Sequence, residues 1–103
     1  MSIADHVSDQ IDLLYAAKGY KWPTAEEALG FLATELGEAF EHLLAGKGFV
    51  RNHPESKPQA GEWEGFSEEL GDIIMMAMVA GMVTGHNPLK SLLNKINRKV
   101  ANG

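Results

Sequence analysis

Eleven consecutive uncharged residues, Ile73 to Val83, dominate the second half of this chain. The run is far too short to span a bilayer, which takes about 20 apolar residues in a helix. Wound as a helix it is apolar on nearly every side, so it needs cover from several directions. A chain of 103 residues suffices for one domain and one core. It is hard pressed to wrap such a helix alone, and a partner subunit is expected to pack there. The Met75, Met76, Met78 and Met82 group reads as core rather than as a cofactor site.

The rest of the chain punctuates cleanly into helices. Ile3, Val7, Ile11 and Leu14 recur at helical spacing, and Gly19 ends that segment near Lys18. Thr24 with Glu27 three residues on is a capping-box pattern. It opens a second helix, from about Ala25 to Ala45, whose expected core stripe is Leu29, Leu32, Leu36, Phe40 and Leu43. Residues 47–64, with Pro54, Pro58, Gly48 and Gly61, read as a long loop. A third helix is expected from about Glu64 to Thr84. Asn87 then caps a fourth, with Pro88 at its first position and Leu89, Leu92, Leu93 and Ile96 as its apolar face. The expectation is one all-α domain over residues 1–103, a four-helix bundle completed by homo-oligomerisation.

Composition narrows the function. With 45% hydrophobic residues the chain should fold. Its net charge of −5 argues against a nucleic-acid polymer as main partner, since such binding rests on clustered Lys and Arg. A small phosphorylated ligand needs only a few local cations or a metal. The absence of cysteine removes disulfides, thiolate zinc sites and thiol nucleophiles, and fits a reducing compartment. Met1 to His6 lacks the basic start and apolar core of a secretory leader. A cytoplasmic protein without a membrane segment is expected.

Two acidic motifs carry the chemistry. Glu35-Leu36-Gly37-Glu38 lies in the second helix and Glu69-Leu70-Gly71-Asp72 in the third. Carboxylates three residues apart share one side of a helix. Glu69 and Asp72 also share a side with Met76, Val79 and Val83, so they continue an apolar stripe. If the two helices pack antiparallel, the pairs face one another. Carboxylates gathered this way repel and raise each other's pKa. A hard divalent cation relieves the repulsion, and oxygen ligands suit Mg²⁺ or Mn²⁺. By contrast, Glu26, Glu27, Glu62, Glu64 and Glu68 read as ordinary solvated residues; His42, one turn after Glu38, reads as an exposed helix residue, with support of the acidic group as the alternative.

Glu-x-x-Glu on one helix followed by Glu-x-x-Asp on the next resembles the metal-binding signature of the MazG-like nucleoside triphosphate pyrophosphohydrolases. The resemblance runs from about Leu13 to Lys99 and includes the Gly85-His86-Asn87-Pro88-Leu89 turn. It implies that Glu35, Glu38, Glu69 and Asp72 bind Mg²⁺ and form the catalytic set. It implies cleavage of a nucleoside triphosphate to the monophosphate and pyrophosphate, as in house-cleaning of non-canonical nucleotides. It further implies a homodimer or homotetramer. Lys95 falls where the family places a phosphate-contacting Lys, with Arg98 and Lys99 beside it. A basic last turn complementing the helix dipole is the plainer reading of those two. Trp22 and Trp63 are candidates for stacking on a base, with packing the commoner role. The sequence departs from the pattern at Thr34, where relatives carry a further Glu, at Lys99, where they often carry Asn, and in its long interval between Glu38 and Glu69.

Three other readings keep part of this picture. A ferritin-type di-metal oxidase would want Glu-x-x-His on two helices, which is absent. A nucleotide-sensing or regulatory module would keep the fold and lose the hydrolysis. A purely structural helical dimer would lose the metal as well.

Overall fold

The computed structural model describes residues 2–47 and 61–102. They form four α-helices: α1 Ile3–Lys18, α2 Ala25–Gly46, α3 Gly61–Met82 and α4 Pro88–Ala101. Among the described residues there is no strand. No helix there is long and apolar enough to cross a membrane.

The helix ends follow from local chemistry. The Ser2 hydroxyl accepts from the Asp5 N–H at 3.1 Å and starts α1. At its other end Gly19 takes a left-handed φ of 64°. That lets Gly19 N–H reach Ala16 O and Tyr20 N–H reach Tyr15 O, a Schellman closure. The end of α3 repeats it, with Gly85 at φ 80° and His86 N–H donating to Gly81 O. Thr24 and Glu27 form the expected reciprocal box, at 3.1 and 3.0 Å. The Asn87 side-chain Oδ1 accepts from Lys90 N–H at 3.2 Å, and its Nδ2 donates to Ala4 O at 3.1 Å. One side chain thus caps α4 and ties it to α1.

The chain divides into two compact units. The first comprises Met1–Ala28 with Ala77–Gly103, and the second comprises Leu29–Met76. Helices α2 and α3 contribute to both. The first unit holds most of the buried core: Ala4, Ile11, Tyr15, Ala28, Met78 and Val79. Met78 and Val79 are essentially sealed from water, at 2% and 0% exposure. Each such side chain contributes roughly 1.5–3 kcal/mol by leaving water.

In the second unit α2 and α3 run antiparallel. As α2 advances from Glu35 to His42 to Gly46, its neighbours on α3 retreat from Asp72 and Glu69 to Gly65 and Glu62, then to Trp63. The helices meet through small residues. A Cβ at Gly65 would fall 2.7 Å from the His42 ring, and one at Gly46 would fall 2.9 Å from the Trp63 indole.

Several expectations change here. The stripe assigned to the core of α2 is largely outside it: Leu29, Leu36 and Phe40 are 56–58% exposed, and Ala28 and Ala39 are buried instead. Close approach of two helices favours the small side, so the bulky side is left facing outward. The apolar face of α4 is similarly uncovered, with no buried residue, and Leu92 and Ile96 are exposed. Ile3 is exposed on α1. Finally, α3 begins at Gly61, so residues 61–64 are helical rather than loop. Packing of Glu62 and Trp63 against α2 favours helix there, a tertiary effect that local signals do not carry. The remainder of the expected loop, residues 48–60, lies outside the described residues.

Candidate functional site

The antiparallel pairing in the second unit brings the two acidic motifs together. One carboxylate oxygen each from Glu35, Glu69 and Asp72 lies within 4.8 Å of the other two. Two oxygens on opposite sides of a Mg²⁺ at about 2.1 Å stand about 4.2 Å apart. Adjacent ligands of such an ion stand about 3.0 Å apart, so the three oxygens would have to draw together to share it. Glu38, one turn after Glu35, is exposed and stands outside this tight group. It is still near enough for its charge to act on Glu69.

Glu69 is the strained member. It is half-buried, and its Oε2 is shielded from water with no hydrogen-bond partner. A buried acceptor without a donor is costly, more so when it carries charge. Its carboxyl is accordingly pushed up to about 7. The largest cause is the Glu35 carboxyl, to which a protonated Glu69 can donate. Burial comes next, then the negative charges of Glu35 and Glu38. The cluster thus offers hard oxygen donors, a local excess of negative charge and one oxygen lacking a partner. That is a donor set suited to a divalent cation.

One turn further along α2, His42 Nδ1 pairs with Glu62 Oε2. Both side chains are about one-third exposed or less, so neither is the solvated residue expected. The His42 pKa is raised, first by that hydrogen bond; burial opposes it, and the charges of Glu62, Glu69 and Glu38 each add a smaller increase. This pair was missed because its partners lie on either side of the long interval between the motifs. Gly65, one turn after Glu62, is the trace it leaves in the sequence, since the His42 ring occupies the space a side chain would fill.

The remaining candidates fall elsewhere. Trp63 lies against Gly46 and edge-on to Phe66 at 6.3 Å. It stays 44% exposed, so it packs without being enclosed. Trp22 belongs to the first unit, stacked on Tyr15 at 4.1 Å. Lys95, Arg98 and Lys99 are exposed on α4, also in the first unit. Thr34, which stands where a further acid was looked for, turns its hydroxyl back to Gly30 O at 3.2 Å and adds no ligand.

The class these observations define is an all-α protein with a carboxylate cluster across two antiparallel helices. No family model, no curated protein and no solved structure matches the chain.

Proposed function

We propose that this chain is a Mg²⁺-dependent nucleoside triphosphate pyrophosphohydrolase of the MazG type, with Mn²⁺ able to replace Mg²⁺. The observation that carries the reading is the Glu69 oxygen, shielded and without a donor, beside Glu35 and Asp72. Residues with a purely structural task would not be expected to leave such an acceptor unpaired.

In this reading Glu35, Glu69 and Asp72 hold the ion. When bound, it neutralises charge on the phosphates and lowers the pKa of water. Glu38, exposed beside the tight group, orients the attacking water and accepts its proton. The water oxygen bonds to the α-phosphorus as the bond to the bridging oxygen breaks, and pyrophosphate leaves. The position of cleavage comes from the family resemblance. On the family resemblance alone, Lys95, with Arg98 or Lys99, takes the phosphate-contacting role. The reading also includes a homodimer or homotetramer. Its support is the exposure of large apolar side chains in the second unit: Leu29, Leu36 and Phe40 on α2, with Leu70 and Ile74 on α3. Apolar surface left open in this way is what a partner subunit covers.

A second reading, a nucleotide-sensing module, is favoured by Thr34, whose hydroxyl is spent on its own helix. The two separate in a Mg²⁺-dependent hydrolysis screen over common and modified nucleoside triphosphates, scored by pyrophosphate release. Wild type should release pyrophosphate from at least one of them. Glu38→Gln and Asp72→Asn should each lose about 10²-fold or more. Equal product from all three proteins would overturn the catalytic assignment. Metal-dependent thermal stabilisation without any turnover would favour the sensor.

A further inference from the structure

The first unit carries an open cavity of about 970 Å³ whose walls come from that unit alone. Small-molecule sites occupy roughly 300–1,000 Å³. One wall is Trp22. Its indole stacks on Tyr15 with the rings 17° from parallel, and Tyr15 is itself buried and flanked edge-on by Tyr20. Trp22 is therefore a rigid plate held from one side. It remains 38% exposed and lines the cavity. A plate so fixed offers stacking area at small entropic cost.

Facing chemistry comes from the start of α4. Lys90, Ser91 and Asn94 line the cavity, with His86 from the preceding turn and Asp12 from α1. The α4 residues are held in place because Asn87 both caps that helix and bonds to Ala4 of α1. Among the described lining residues, Lys90 is the single permanent cation and Asp12 the single carboxylate. Ser91 and Asn94 can both donate and accept.

We propose that this cavity binds a planar heteroaromatic ring carrying one anionic group. The ring stacks on Trp22, and Asn94, Ser91 and Asp12 meet its polar edge. The anion is held by Lys90. Asp12 disfavours a second anionic group, which limits the ligand to one such substituent. The site does not rest on the hydrolytic reading, because no residue of the acidic motifs lines it.

The test uses the full chain with Trp63→Phe, which leaves Trp22 as the remaining tryptophan of two. With EDTA present the acidic cluster plays no part. Trp22 fluorescence is titrated with purine and pyrimidine nucleoside 5′-monophosphates, with the parent nucleosides, and with inorganic phosphate. At least one monophosphate should give saturable quenching. Its nucleoside should bind about tenfold more weakly, and phosphate should leave the signal unchanged. Lys90→Gln should bring the monophosphate down to the nucleoside's affinity and leave the nucleoside unaffected. Asn94→Leu should weaken both. Calorimetry on the unsubstituted protein repeats the measurement without the Trp63 change. Absence of saturable binding up to about 1 mM in both methods would overturn the proposal. So would phosphate alone binding as tightly as the monophosphate, or monophosphate affinity indifferent to both substitutions.

Discussion

Helices α2 and α3 pass through both compact units yet do different work in each. In the first unit they contribute Ala28, Met78 and Val79, all buried, to a core shared with Ile11 and Tyr15 of α1. In the second, the one buried apolar side chain among the described residues is Ala39. There the same two helices present Glu35, Glu69 and Asp72 to each other and pair His42 with Glu62. Large apolar side chains such as Phe40 and Ile74 face outward. The contrast shows where stability and chemistry are kept. Apolar burial contributes more to the first unit, which holds six of the seven buried apolar side chains among the described residues. The second accepts crowded carboxylates, which favour the fold only when their charge is answered by a proton or a cation.

The largest effect that could break this comparison is at Met78. Truncation to Ala removes a side chain that is 2% exposed, and should cost about 2–5 kcal/mol in denaturant unfolding. A loss below about 0.5 kcal/mol would mean that the first unit is not the stabilising one.

A smaller effect is expected across α2 and α3. Gly65→Ala places a methyl group 2.7 Å from the His42 ring, so the ring must move and its pairing with Glu62 is disturbed. Overpacking of this kind costs about 1–3 kcal/mol. The His42 pKa, followed by NMR, should fall back toward its ordinary value as the Glu62 hydrogen bond is lost. An unchanged His42 titration would show that the two helices do not hold it there.

The smallest effect sharpens the comparison through pH, because a partly exposed cluster is screened by water and salt. In metal-free protein Glu69 titrates at about 7 folded, against an ordinary 4.5. Between those values the native state holds more protons than the unfolded chain. Its contribution to stability is full below 4.5 and is lost as pH rises through about 7. His42, also raised, pushes the same way. The denaturation midpoint in EDTA should therefore fall from pH 5 to pH 8. Glu69→Gln should flatten that fall, and an identical slope in the variant would remove Glu69 as its source.

Much of this was legible in the chain. Thr24 with Glu27, Asn87 with Pro88, and Gly19 marked helix ends by short-range hydrogen bonding and backbone freedom, which a sequence displays directly. The three-residue spacing within each acidic motif placed each pair on one helix face for the same reason. The buried face of α2 was not legible. Leu29, Leu36 and Phe40 form a good apolar stripe, but a pattern cannot say whether its own chain covers it.

What the sequence determined by itself was therefore local: four helices, their caps, and which acids share a side. The tertiary structure decided which face met which. Close approach selected Ala39, Gly46 and Gly65 over the larger residues, and antiparallel pairing set Glu35 against Glu69 and Asp72. It also joined His42 to Glu62 from opposite sides of a long interval. Side-chain volume and helix direction act between segments, and no spacing within one segment records them.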